Sequence, residues 1–305
     1  MLSNKKIDVP RNLIKIAKKT PFIPAGIVCA HHRLSMESAK LAHELELINP
    51  IFIGDMILIQ KEAKKLNWNI KKFIIINKNS DQDSAIAGAL LASENTIKVL
   101  IKGNLHTDIL MKAYLKKEFG LIKSKRLSHI WHMSLDKINK PLFITDGALN
   151  VAPRVDIKMH ILKNAVEFAK KVGVRQPRVA VLSGTEDPIE SMPSSMEAKE
   201  IMKRAIEEKI DAYVQGPLAF DNAVSPEAAA VKKISGEVAG NADILLVPNL
   251  ETGNSLSKIM VYFLGACAAG IVIGGKVPIV VTSRADHIAS RLASIAAANI
   301  ATQQS

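Results

Sequence analysis

Two hydrophobic rhythms alternate along this chain. Unbroken runs of apolar and β-branched residues fall at Phe22 to Ala30, Pro50 to Asp55, Phe73 to Ile76, Val99 to Gly103, Pro141 to Gly147, Arg178 to Leu182, Ala212 to Gln215, Ala242 to Pro248 and Val277 to Val281. Runs of this kind, bounded by Gly, Pro and polar residues, predict buried strands. In other stretches the apolar positions recur every three or four residues, the period of a helix with one buried face. These are Asn4 to Lys19, Ser35 to Leu47, Met56 to Leu66, Ser84 to Ser93, Thr107 to Phe119, Val155 to Val172 and Leu256 to Ala269. Ser194-x-x-Glu197 and Ser283-x-x-Asp286 read as capping boxes that start two more helices, reaching Lys209 and Ile300.

Strand and helix alternate with short connections, which predicts an α/β fold on mostly parallel sheet. Residues 120–140 break the rhythm; they are polar and irregular, with Leu127 to Met133 as one extra strand. A domain boundary is expected near residue 150.

Length and composition narrow the class. A chain of 305 residues has room for two domains, and 48% hydrophobic content without low-complexity tracts marks a globular protein. The charged opening Met1 to Lys6 lacks the form of a secretory signal. The longest uncharged stretch, Ile259 to Gly275, is short for a membrane span and carries four glycines, so a core helix running into a strand is expected. Cys29 and Cys267 stand far apart, which suits reduced thiols in a cytoplasmic protein.

The net charge of +12 is uneven. Residues 1–150 carry 24 basic and 13 acidic side chains, against 17 and 16 in the remainder. A positive first half suits an anionic partner, either nucleic acid or a multiply phosphorylated small molecule. Lysines outnumber arginines 32 to 9, aromatics are 4%, and no recognition helix or base-stacking motif is present, so nucleic acid is disfavoured.

Candidate chemistry gathers at the strand ends. In parallel α/β sheets ligands bind beyond the carboxyl ends of the strands. Here those ends read Lys102-Gly103, Asp146-Gly147, Ser183-Gly184, Gln215-Gly216, Asn249 with Gly253-Asn254, and Ser283-Arg284. Glycine lets a ligand approach the backbone, and Gly253-Asn254 before a helix offers N–H groups to an anion. In the last turn Arg284 offers a planar charged fork for phosphate, Ser283 a hydroxyl and Asp286 a proton acceptor, although judged alone Ser283 and Asp286 read better as a helix cap. His31-His32 and His129-x-x-His132 lack a third spaced ligand, and no metal site is expected.

Several segments together resemble the phosphate acetyl/butyryl transferases. They are Lys102-Gly103-x-x-His106-Thr107, Pro141 to Asp146, Gly216 to Ser225, Val238 to Asn249, Gly253-Asn254 and Val277 to Asp286, in order over most of residues 98–300. The Gly216 to Ser225 and Ser283 to Asp286 segments are closer to the butyryl branch. The resemblance implies two α/β domains of mostly parallel sheet flanked by helices, similar to the isocitrate and isopropylmalate dehydrogenases, with the active site in the interdomain cleft. The chain would return near its end, giving domains 1–150 plus 272–305 and 151–271, and would form a cytoplasmic homodimer. The implied reaction converts acyl-CoA and phosphate to acyl phosphate and CoA, with no cofactor, nucleic acid or membrane involved.

Ser283 and Arg284 match the family's catalytic pair. The family's acetyl branch places its basic carboxylate further downstream, where this chain reads Ala289-Ser290-Arg291; Asp286 is the nearest acid and is assigned as the base. Substrate contacts are expected from His106, Thr107, Ser183, Gly216, Pro217, Asp221, Asn222, Asn249, Gly253, Asn254 and Lys258. Two rivals share these strand ends: a non-catalytic CoA- or phosphate-binding protein, and a metal- and nicotinamide-dependent decarboxylating dehydrogenase. The second would need a dinucleotide fingerprint or an Asp cluster, and neither is evident.

Overall fold

The computed structural model describes every residue except 1, 4, 123–125, 137, 139, 284, 285, 304 and 305. Contacts divide the chain into a split unit, residues 7–125 and 269–304, and a middle unit, residues 126–268 with 1–6. The first stretch of the split unit runs α1 (Arg11–Ala17), β1 (Ile23–Val28), α2 (Arg33–Glu44), β2 (Ile48–Gly54), α3 (Met56–Lys65), β3 (Ile75–Asn77), α4 (Asp81–Ser93), β4 (Val99–Lys102) and α5 (Thr107–Tyr114). Two of its helices begin on a side-chain acceptor: Asp55 takes the Leu58 N–H at 3.0 Å, and Ser80 takes the Asp83 N–H at 3.0 Å. The N-terminal helix is shorter than its apolar pattern predicts and starts only after Pro10.

The middle unit runs β5 (Ser128–Ser134), β6 (Leu142–Thr145), α6 (Val155–Lys171), β7 (Arg178–Leu182), α7 (Pro193–Glu207), β8 (Tyr213–Leu218), α8 (Phe220–Val224), α9 (Pro226–Val231), β9 (Ile244–Leu246) and α10 (Leu250–Leu264). The chain then returns as β10 (Cys267–Ile273), β11 (Ile279–Val280) and α11 (Ile288–Ala301).

Strand order in the split unit is β3-β2-β1-β4-β11-β10, parallel except for β10. In the middle unit it is β5-β6-β9-β7-β8, parallel except for β5. Each unit is therefore a mostly parallel sheet with helices packed on it. Residues 126–150, assigned from the sequence to the first domain, group with 151–268, because β5 and β6 form an antiparallel pair and β6 lies beside β9.

Core and caps explain the remaining departures. Every residue of α11 from Ala289 to Ile300 is buried, as expected of a helix that is small and apolar on all sides. The helix predicted from Leu256 to Ala269 starts earlier, because Asn249 caps it, and ends at Leu264, where Gly265 adopts φ +71. The residues beyond form β10. The capping box at Ser194 does not form: α7 begins at Pro193, Ser194 bonds Ser183, and Glu197 pairs with Lys158. Strand β8 continues through the cis Gly216-Pro217 bond to Leu218 rather than stopping at Gln215. Proline is tolerated there because β8 is the last strand of this order and needs fewer ladder donors.

Candidate functional site

In the split unit the carboxyl ends of β1, β4 and β11 meet. The Gly103 N–H donates to Val28 O and the Asn104 N–H to Cys29 O, both at 2.8 Å. A side chain at Gly103 would run into the Cys29 and Val28 carbonyls, so only glycine lets the two loops touch. Lys102, 4% exposed, donates to Leu105 O at 3.1 Å and turns the chain into α5, which His106 and Thr107 open as exposed residues. The Cys29 thiol donates to Asp81 at 3.3 Å; burial and the neighbouring carboxylate push it up to about 12, so it stays protonated and is no nucleophile.

Strand β11 pairs with β4 and delivers the Ser283 turn to this same edge. The Asp286 carboxylate accepts the Ser283 N–H at 2.7 Å, and the Asp286 N–H reaches Ser283 O at 3.2 Å. Ser283 and Asp286 thus bond each other ahead of the helix, and neither is the helix start that the sequence predicts. Helix α11 begins at Ile288, with His287 Nδ1 accepting the Ala289 N–H. Arg284 lies outside the described residues.

Arg291 is the residue that sequence reasoning passed over. It is 4% exposed, donates through Nη2 to Ser283 O at 2.7 Å and through Nε to Asp286 O at 3.4 Å, and so grips both ends of the turn. Burial lowers its pKa from the ordinary arginine value, opposed by Asp286. The available signal was a single cation in a helix otherwise buried and uncharged, which has to find acceptors.

In the middle unit a second polar set follows β6. The buried Asp146 carboxylate accepts four hydrogen bonds: the N–H groups of Ala148 (3.0 Å), Leu149 (2.9 Å) and His129 (2.9 Å), and the Asn150 amide (2.7 Å). The amino end of α10 packs directly on this turn. A Cβ on Gly253 would lie 2.9 Å from Gly147 Cα, and one on Gly147 would lie 2.7 Å from Gly253 C. Asn249 Oδ1 caps α10 through the Thr252 N–H and hydroxyl at 3.0 and 2.7 Å, and the Asn254 amide reaches Gly147 O at 3.3 Å. Lys258 follows one turn later, half-buried. His129 is 1% exposed; burial holds it neutral, down to about 4, with Asp146 opposing and Lys258 reinforcing that shift.

The third set follows β7 and β8. Ser183 shares a 2.9 Å hydrogen bond with Ser194, and the buried Asn222 donates to Glu186, which also pairs with Lys232 at 3.0 Å. Asp221 is exposed in the first turn of α8. Gly216 and Pro217 are buried inside β8, where a Cβ on Gly216 would lie 2.9 Å from Val181 O. The middle unit thus gathers Asn249, Gly253, Asn254 and Lys258 at one strand end and Ser183, Asp221 and Asn222 at two others on the same edge. His106, Thr107, Ser283 and Asp286 belong to the split unit.

Among the described residues no group of three or more His, Cys, Asp or Glu is placed to hold a metal ion, and no helix is long and apolar enough to cross a membrane. His129 and His132 are buried side chains of β5.

The chain is similar to known proteins in both sequence and fold. The chain is 40% identical to a phosphate acetyltransferase of Rickettsia felis over 274 residues, covering 89% of this chain and 78% of that protein. It is 40% identical to a probable phosphate butyryltransferase of Bacillus subtilis over 253 residues, 81% of this chain and 85% of that one. The crystal structure of a branched-chain phosphotransacylase from Enterococcus faecalis superposes with a TM-score of 0.82 at 31% identity, covering 93% of this chain and all of that one. Residues 77–299, which contain every strand end described above from β4 onward, match the family described as "Phosphate acetyl/butaryl transferase", and the chain belongs to that family.

Proposed function

We propose that this protein is a phosphate acyltransferase that moves an acyl group directly between CoA and phosphate. The observation that carries the reading is the family match across residues 77–299, with the Ser283 to Asp286 turn inside it. A thiol with a pKa of about 8.5 is mostly protonated at neutral pH, so attack on an acyl phosphate needs a proton acceptor. Asp286 takes that proton, and the thiolate adds to the acyl carbonyl. The carbon–oxygen bond to phosphate then breaks, with its electron pair leaving on phosphate. Arg284 binds the phosphate oxygens and stabilises the charge they gain, while Ser283 hydrogen-bonds the reacting thiol or acyl oxygen. Arg291 holds Ser283 and Asp286 in register from behind.

CoA and phosphate are substrates, and the reading assigns no cofactor, nucleic acid or membrane. The family, and not a distance, brings the residues of the two units into one reaction; the likeness to isocitrate and isopropylmalate dehydrogenases and the interdomain active site belong to the same reading. A cytoplasmic homodimer is also part of it. The carboxyl half of α10 supports the dimer, because Ile259, Phe263 and Leu264 are 51, 60 and 46% exposed and make an apolar strip suited to a second copy. Light scattering of the wild type and of Phe263→Asp tests this; a wild-type monomer refutes it.

The test of activity is thiol release from acetyl-, butyryl- and isobutyryl-CoA with and without phosphate. Phosphate-dependent release is expected, and its absence with all three substrates would falsify the assignment.

A further inference from the structure

The amino ends of β1, β2 and β3 in the split unit border a cavity of about 850 Å3, within the range of about 300–1,000 Å3 usual for small-molecule sites. Its lining comes from the residues just before each strand: Lys18 to Phe22 ahead of β1, His43 to Glu46 ahead of β2, and Trp68 to Lys72 ahead of β3. The Ser283 turn sits at the opposite, carboxyl end of the same parallel strands, about 20 Å away for strands of six to seven residues.

The chemistry of the lining is specific. Phe22 is 46% exposed, and its ring lies 5.6 Å from His43, which lies 6.4 Å from Trp68. Phe73 braces His43 edge-on at 4.9 Å, and the His43 Nδ1 is 3.3 Å from Ile48 O, so the imidazole is fixed. Aromatic faces left lining an open cavity suit a planar ring. Charges of both signs stand beside them: Lys18 and Lys72 on one hand, Glu44 and Glu46 on the other, with Glu44 already 3.9 Å from Lys40. A simple phosphate has no use for the aromatic walls, and an aliphatic acid has no use for the carboxylate.

We propose that this cavity is a second ligand site, for a nucleotide that carries an exocyclic amino group. Its base stacks on the exposed Phe22 ring with the tilted His43 and Trp68 rings against its edge, its amino group faces Glu46, and its phosphate lies between Lys18 and Lys72. The inference does not depend on the acyltransferase reading.

The test is calorimetric titration of the full chain with AMP, with adenosine and with CoA. One AMP per chain is expected. Phe22→Ala should weaken it by about tenfold or more, the usual effect of removing one stacking face. The Lys18→Ala/Lys72→Ala double variant should bind AMP no better than adenosine, and saturating CoA should leave the AMP site open. All three side chains are exposed, so melting curves should match the wild type. No binding of AMP at millimolar concentration, or binding indifferent to Phe22→Ala, overturns the proposal. So does competition in which CoA displaces AMP and Phe22→Ala raises the KM for CoA, because the cavity would then hold the adenine end of the substrate.

Discussion

Two turns in this protein are built around an aspartate just past a parallel strand, and they use it oppositely. Asp146, after β6, is 3% exposed and spends its carboxylate on four hydrogen bonds. Asp286, after β11, is half-buried and, among the described residues, takes one hydrogen bond, from the Ser283 N–H. A carboxylate has about four acceptor sites. The first is saturated and serves as a fixed post for β5, the Asn150 turn and, through Gly147, the amino end of α10. The second keeps acceptor sites open, as its proposed role as proton acceptor requires. Its position is held instead by Arg291, whose hydrogen bonds go to the Ser283 and Asp286 backbone carbonyls.

The contrast breaks if the two aspartates respond alike. Asp146→Ala should lower unfolding free energy by about 3 kcal/mol, since the buried His129 N–H and Asn150 amide and two part-buried N–H groups lose their acceptor; chemical denaturation measures it. Asp286→Asn should instead reduce turnover by about a hundredfold, the usual scale of a general base, with the denaturation midpoint almost unchanged. Arg291→Ala should fall between them, losing about 2 kcal/mol from the two stranded carbonyls together with part of the turnover. Partial recovery of turnover in Arg291→Lys would mark a positioning role; equal activity in Ala and wild type would end it.

The mildest test uses pH. His129 takes a proton only near 4 in the folded chain, against about 6.5 when unfolded, so the unfolded state binds more protons in between. The stability of the Asp146 side is therefore complete above about pH 6.5 and falls by up to about 1.4 kcal/mol per unit as pH drops towards 4. His132, also near 4, adds its own share, and His129→Gln should remove only its own part of the slope.

The sequence carried the strands well where composition and caps agreed. β4, β6 and β7 lie where unbroken apolar runs end in Gly103, Asp146 and Ser183, and α6 follows its period closely. Residues 250–275 were harder, because small apolar residues fit helix and strand equally; the side-chain cap at Asn249 and the left-handed Gly265 decide the boundaries. The strand ends named the polar residues on each edge, but not their partners. That Asp146 is consumed by N–H groups from β5 and its own turn, or that Arg291 reaches back to Ser283, depends on tertiary packing that no local pattern encodes.

The return of the chain also sets an order of manufacture. The middle unit is nearly contiguous in sequence, whereas β4 gains its neighbour β11, and α1 and α2 gain α11, only when residues 269–301 have left the ribosome. Long-range closures of this kind are slow and late. The segment that completes the split unit also carries Ser283, Asp286 and Arg291, so a nascent or truncated chain is unfinished and lacks the turn proposed to do the chemistry.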